Sequence, residues 1–361
     1  MCRAIALSEP LILGAGPAGC MAAIALASGG VRPTLLDRDA TVGDALCGGF
    51  LSWRTAERLR AVGIGPIQLG AHPVETLALV AGKSEAIAAL PSPGFGLSRR
   101  ALDTALRRRA VTEGARLVID RARTVRSGMV EGEEADHPAE AIFLASGKHD
   151  VRGAPRPRED DDPALGIRIR IPAHDALRAM LRGRIELHLF RCGYAGIVLQ
   201  EDGSANICLA LRKSALADVG GQPTALLDRL ADMHPRFGER MAFAPDDTAI
   251  DTVGSVPYGW IARDTQRGLW RLGDQAAVIP SLAGEGMAIA MESGVAAAHA
   301  FLAGTDAATF QRSFARRAAR PIRTAKLIWQ VAETGAGARI LTGVARALPA
   351  LARTAMGLTR I

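Results

Sequence analysis

Aromatic side chains make up only 4% of the 361 residues. Little is therefore available for base stacking, and nucleic acid is not the expected partner of this basic chain. Cysteine is sparse as well. Cys2, Cys20, Cys47, Cys192 and Cys208 stand far apart, form no C-x-x-C pair and are odd in number. This excludes a disulfide scaffold and a cysteine-based zinc cluster, and fits a reducing cytoplasm, the expected location. The seven histidines show no ligand spacing, so no metal is expected. A Walker loop and a Gly-x-Ser-x-Gly elbow are both missing. The start of the chain lacks a basic region followed by a clean apolar run. The uncharged stretch from Pro10 to Gly30 is interrupted by Gly14, Gly16, Pro17 and Gly19, and reads as strand, tight turn and buried helix.

What is present is a globular composition, 48% apolar and 22% charged, in a chain long enough to bury a sizeable core. Charge is unevenly spread. Residues 307–361 carry ten basic side chains against the single acid Glu333, a net +9 within a total of +7, which leaves the rest at −2. The tail has two readings. It is a packed helical region with arginines facing water, or an interfacial helix pair that touches anionic lipid or a carrier protein.

The pattern begins with a strand at Leu11–Leu13, a glycine turn over 14–19, an Ala-rich helix to Ser28 and a strand from Pro33 ending in Asp37. Residues 51–62 read as helix, and 74–80 with 85–90 as a hairpin turning at Gly82. Ser98 is the expected N-cap of a helix from Arg99 to about Glu113. Strands follow at 117–119 and 141–145, and a proline-rich linker at 155–163. Four strands at 166–171, 185–190, 194–199 and 205–211, with helices near 173–181 and 222–233, read as an inserted antiparallel sheet. A strand at 269–272 and a helix at 286–301 return to the first unit, and the last 55 residues are helical with breaks at Pro321 and Pro349. The expected fold is α/β. A discontinuous Rossmann-like domain takes 1–70, 97–155 and 262–305; a substrate domain takes 71–96 and 156–261; a basic helical region takes 306–361.

Two segments carry the chemistry. The first is Gly14-Ala15-Gly16-Pro17-Ala18-Gly19, with Asp37 and its neighbour Arg38 closing the next strand. Gly14 permits the tight turn, Gly16 lets backbone approach a pyrophosphate, and Gly19 lets helix pack closely on strand. The helix N-terminus supplies unpaired N–H groups and a positive dipole end. Asp37 can accept hydrogen bonds from ribose hydroxyls. The second segment is Gly273-Asp274, followed by Pro280 and Gly284-Glu285-Gly286-Met287. Asp274 can hold a sugar-alcohol hydroxyl, and the helix starting near Gly286 offers its positive end to a planar ring that gains charge.

Together these segments resemble the class of FAD enzymes that includes aromatic-ring hydroxylases and geranylgeranyl reductases, with its glutathione reductase type of FAD-binding domain. The resemblance implies that Gly273-Asp274 binds the ribityl chain and that Pro280 to Met287 pass beside the isoalloxazine. Leu97-Ser98-Arg99-Arg100-Ala101-Leu102 is similar to the Ser-Arg-x-x-Leu helix start of the class, which places Arg99 near the cofactor. Ala145-Ser146-Gly147 matches its Ala-Asp-Gly or Ala-Thr-Gly segment, with Ser146 where hydroxylases carry Asp. Cys47-Gly48-Gly49 resembles the Cys-Gly-Gly loop of the reductases near the flavin. Tyr194 begins a loose likeness to their Tyr-x-Trp-x-Phe-Pro strand, in which Gly196, Val198 and Leu199 replace the Trp, Phe and Pro.

The expected cofactor is FAD, with NAD(P)H as a transient reductant, because no second dinucleotide fingerprint is found. The favoured activity is a single-component monooxygenase that hydroxylates an aromatic or polyketide-like molecule with NAD(P)H and O₂. A reductase of carbon–carbon double bonds and a non-catalytic FAD-binding partner protein are the alternatives. The substrate is a small molecule, lipid-like or carrier-bound in one reading. No catalytic side chain is assigned; Tyr194, Tyr258 and His149 are the candidates.

Overall fold

The computed structural model describes residues 9–157 and 161–361. Cys2 and residues 158–160 of the expected linker lie outside them. The chain opens as β1 (Leu11–Leu13), α1 (Pro17–Ser28) and β2 (Thr34–Asp37). Next come β3 (Phe50–Leu51), α2 (Trp53–Ala61), β4 (His72–Ala81), β5 (Ser84–Gly96) and α3 (Arg99–Thr112). β6 (Arg116–Ile119), β7 (Thr124–Arg126), β8 (Met129–Glu131), β9 (Asp136–Pro138) and β10 (Ile142–Leu144) complete the first part.

Five short strands form a parallel sheet in the order β16-β10-β1-β2-β6, where β16 is Leu269–Arg271. Their near-continuous apolar runs suit a sheet covered on both faces. Alternation does the sorting. Ile12, Leu35 and Phe143 face the helices, while Leu11, Leu13 and Leu144 face Val125 and Val130 of the small β7-β8-β9 sheet. That three-stranded sheet is too short and polar to show in the sequence pattern.

The second sheet has eight strands in the order β15-β11-β14-β13-β12-β4-β5-β3. Here β11 is Ala164–Ile171, β12 Gly183–Phe190, β13 Gly193–Leu199, β14 Ala205–Arg212 and β15 Ile250–Val256. The expected antiparallel pairing needs one correction, since β12 runs parallel to β4 and so joins the 72–96 hairpin to the later strands. The helices α4 (Asp175–Leu181), α5 (Lys213–Ala217), α6 (Pro223–Met233) and α7 (Pro235–Met241) accompany this sheet. Leu177, Leu227 and Phe237 of α4, α6 and α7 bury one of its faces. The other face, with Leu187, Leu189 and Tyr194, looks toward the end of the chain.

That end is α8 (Gly286–Leu302), α9 (Ala307–Ala332), α10 (Gly335–Ala347) and α11 (Pro349–Leu358). The expected break at Pro321 does not occur: α9 runs through it, and Pro321 is buried with Ala318 and Ile322. Packing outweighs the lost N–H in this case. The break falls instead at Thr334, whose hydroxyl accepts from Gly337 N at 3.0 Å and caps α10. Pro349 stands in the first turn of α11, where its missing N–H costs nothing. Glu333 receives both Nε (2.9 Å) and Nη2 (3.0 Å) of Arg212, which ties the end of α9 to β14. None of the described helices is long and apolar enough to cross a membrane.

The helices α1 and α8 meet without intervening side chains. A Cβ at Gly294 would lie 2.3 Å from the Ala18 carbonyl oxygen. Replacing Gly294 by Ala is expected to cost about 1–3 kcal/mol by overpacking. Gly343→Ala in α10, where a Cβ meets nothing within 4 Å, is expected to be neutral or to gain about 1 kcal/mol. Urea denaturation midpoints of the two variants check this, and equal midpoints would contradict the packing.

Candidate functional site

The parallel sheet reverses its strand order between β1 and β10, and a cleft opens at the carboxyl ends of these strands, where such sheets bind ligands. Gly14 follows β1 with φ +107°, and a Cβ there would lie 2.5 Å from the Ala145 carbonyl oxygen after β10. A Cβ on Gly19 would meet the Gly14 oxygen at 1.9 Å. The two glycines therefore let α1 start close against the sheet with its N-terminus facing the cleft. The cleft has a volume of about 1210 Å³ and continues across the bare face of the eight-stranded sheet to α10 and α11.

The cleft wall collects most of the residues singled out in the sequence. Gly14, Gly16, Pro17, Ala18, Asp37 and Arg38 line one end. Cys47, Gly48, Arg99 and Gly147 also line it, as do Gly273, Asp274, Gly284, Gly286 and Met287. Gly19 and Pro280 do not line it: Gly19 is buried behind Gly14, and Pro280 is buried beneath the segment it introduces. His149 stands exposed at the rim on the loop after β10, while Tyr194 and Tyr258 reach the interior.

The cleft forms a cradle suited to an extended dinucleotide. A Cβ on Gly48, Gly147 or Gly286 would touch no protein atom within 4 Å, and one on Gly16 would meet only Arg99 Nη2, at 3.6 Å. Side chains at these four positions would project into the space that FAD needs. Asp274 also faces the cleft, and its carboxylate has no hydrogen-bond or ion-pair partner among the described residues. These features fit the cofactor: Gly14 to Gly19 and Arg99 would hold the pyrophosphate, Asp37 the ribose, and Asp274 a ribityl hydroxyl.

Sequence reasoning missed the support behind these groups. Asp37 Oδ2 accepts from Ala15 N at 2.6 Å, and its Oδ1 lies 3.1 Å from Arg107 Nη2. Arg107 also donates to the Asp39 carbonyl at 2.7 Å and so holds the loop after β2. Arg99 makes a two-point bond to Asp103, at 2.9 and 2.6 Å. Burial opposes charge on Arg99, but the Asp103 carboxylate prevails and keeps the guanidinium firmly protonated. Residues 99, 103 and 107 are spaced four apart on α3, and this i,i+4 spacing is the signal that could have joined Arg99 to Asp103.

The chain has only two tyrosines, and both converge on Ser281. The Tyr194 hydroxyl donates to Ser281 Oγ at 2.9 Å, and the Tyr258 hydroxyl lies 2.5 Å from the same oxygen. Trp329 of α9 packs edge-on against both rings. Burial, then the adjacent Tyr258, pushes the Tyr194 phenol well above its usual range; Tyr258 is raised too, chiefly by burial. Both phenols therefore hold their protons. Beyond them, Leu77, Leu79, Leu187 and Leu189 of the sheet face Leu341 and Ala345 of α10 across an apolar chamber.

At the start of α8, the buried Glu285 pairs with Arg360, which also donates to the Ala283 carbonyl at 2.9 Å and stacks over Trp53. This pairing latches the last residues of the tail beside Gly284 and Gly286. Nothing in the local pattern of the sequence signals a contact spanning 75 residues.

Comparison with known proteins agrees with this geometry. Residues 8–127 match the family model described as FAD binding domain. Over 297 residues the chain is 27% identical to digeranylgeranylglycerophospholipid reductase 2 of Methanopyrus kandleri, covering 77% of this chain and 73% of that protein. The flavin-dependent brominase Bmp2 has a similar structure, with a TM-score of 0.74 at 16% identity over 98% of this chain and 93% of its own. PqsL, a probable FAD-dependent monooxygenase from Pseudomonas aeruginosa, superposes with a TM-score of 0.72 at 14% identity over 93% and 99%. At such identities the two structures establish the fold and leave the reaction open. The chain thus carries an FAD-binding domain, shares its overall fold with flavin-dependent enzymes, and is similar in sequence to a reductase.

Proposed function

We propose that this protein is a FAD-dependent reductase that adds hydrogen across a carbon–carbon double bond of an apolar small molecule, with NAD(P)H as a transient reductant. The observation that carries this reading is the Tyr194–Ser281–Tyr258 set at the inner end of the cleft. The cleft-lining residues of β4, β5, β12 to β14 and α9 to α11 include no carboxylate and no histidine. This part of the cleft thus has proton donors but no base, and the cleft-lining Asp44 and Asp251 are both held by Arg168. Ring hydroxylation of a phenol calls for a base that ionises the substrate, whereas reduction of an alkene calls for an acid.

Bound FAD, once reduced, supplies a hydride. The chain's own groups supply the rest. The leucines of β4 and β12 and the helical roof hold the substrate and exclude water, which preserves the reducing equivalent for the alkene. Tyr194 turns its hydroxyl from Ser281 to the second carbon and gives up its proton; Ser281 then donates to Tyr194 and Tyr258 to Ser281, and water at the partly exposed Tyr258 restores the last proton. One hydride and one proton saturate the bond. Cys47-Gly48-Gly49, Ser146 in place of the hydroxylase Asp, and the 27% identity to a reductase all support this reading.

The monooxygenase expected from the sequence stands as a second reading, favoured by the extra room at Gly196, which lines the cleft where its reductase counterparts carry tryptophan. Incubation of the holoprotein, NAD(P)H and a polyprenyl substrate under argon separates the two. A product heavier by two hydrogens supports the reductase. A product formed only in air, and heavier by one oxygen, overturns it.

Four further outcomes are expected. Tyr194→Phe should slow turnover by about 10²-fold with the flavin absorbance unchanged, and activity of the native protein should persist above about pH 10, where ordinary phenols ionise; an alkaline loss at lower pH would exclude these phenols as donors. Gly16→Val should leave a folded protein without flavin, and Asp274→Ala one that binds it more weakly, as read by the visible absorption band after gel filtration.

A further inference from the structure

The inner end of the cleft reaches the surface at the elbow between α10 and α11. Val344 and Leu351 line the cleft and are also exposed, so they form part of its rim. Large apolar side chains surround this rim on the outside: Ile340 is 62% exposed, Leu348 56% and Leu358 41%. Water alone does not account for such a cluster on two adjacent short helices.

Charge completes the pattern. Arg339, Arg346 and Arg353 are exposed on the same two helices, and none forms an ion pair with any described residue. Residues 334–361 contain no Asp or Glu. Arg360, by contrast, turns inward to Glu285 and Trp53 and anchors the end of the tail. The outward arginines therefore lack acidic partners of their own, and they flank an apolar opening. This combination complements a surface that is anionic at the level of the arginines and apolar just below it. An acidic protein would satisfy the arginines but not the projecting Ile340, Leu348 and Leu358 around a cavity mouth.

We propose that the α10–α11 elbow docks on an anionic lipid bilayer, and that the apolar substrate enters the cleft from the bilayer between Val344 and Leu351. The proposal rests on the reading of the cleft as a chamber for an apolar substrate. It identifies where that substrate comes from and gives Arg339, Arg346 and Arg353 an anionic partner. The latch at Glu285 and Arg360 holds α11 in place during docking.

Co-sedimentation of the holoprotein with vesicles tests this. Vesicles of equal parts phosphatidylglycerol and phosphatidylcholine are expected to bind it at least about tenfold more strongly than phosphatidylcholine alone, with the preference fading at high salt. The double variant Ile340→Ser, Leu348→Ser and the triple variant Arg339→Gln, Arg346→Gln, Arg353→Gln should each lose about tenfold or more of this binding while keeping their flavin content. Equal binding to both vesicle types, unchanged binding by both variants, or capture of an acidic carrier protein in place of vesicles would overturn the proposal. Turnover of a detergent-dispersed polyprenyl substrate keeps the two ideas apart. If turnover is retained without vesicle binding, the docking fails and the reductase reading stands. If vesicles bind but no turnover occurs, the reductase reading fails.

Discussion

The site depends on the close, parallel contact of α1 with α8. Ala18 of α1 lies under Gly294 of α8, and the ends of the two helices meet where Gly29 faces Leu302. Because the helices run in the same direction, both N-termini point toward the same cleft. Each brings unpaired backbone N–H groups and a positive dipole end. One stands where the pyrophosphate of FAD would lie, the other where its ring would lie. A side chain at Gly19 or Gly294 would separate the helix from the sheet or from its neighbour, and one ligand could no longer meet both ends. Glycine is needed at these positions because backbone approaches backbone, an effect distinct from local flexibility.

Around that contact the other charged groups act as braces. Arg107 joins Asp37 to the following loop, and Asp103 holds Arg99 over Gly16. Arg360 ties the end of the chain to the residue that precedes α8. Each brace pairs a cation with a carboxylate at low exposure, where a lone charge would be costly and a pair is fixed in geometry. The cleft walls are thus held by the chain's own ion pairs, and fixed walls lower the ordering cost of binding.

Much of this was legible in the sequence, and the reasons are specific. The glycine turn, the Ser98 cap and the hairpin around Gly82 are local patterns whose meaning does not depend on distant residues. Gly273 to Met287 could be paired with the first turn through the resemblance to FAD enzymes, in which both segments serve one ligand. What escaped notice was non-local or weakly patterned. The parallel pairing of β12 with β4 joins strands about a hundred residues apart, and nothing in either strand announces its partner. The strands β7 to β9 are three residues each, too short for alternation to register. Pro321 looked like a helix end because local propensity is weaker than the burial of its neighbours in α9. The convergence of Tyr194 and Tyr258 on Ser281 needs three segments brought together by the fold, so the sequence could offer them only as separate candidates. Likewise, the basic tail could be read as solvated or interfacial, and only its folded position shows that it roofs the cleft.

The most direct test of the account is amide hydrogen exchange followed by mass spectrometry as FAD is added to the apoprotein. The account requires that peptides covering Gly14–Gly19 and Gly284–Met287 gain protection together, at the same FAD concentration, because one molecule spans both helix ends. Protection of one segment without the other, or at clearly different concentrations, would contradict a shared site.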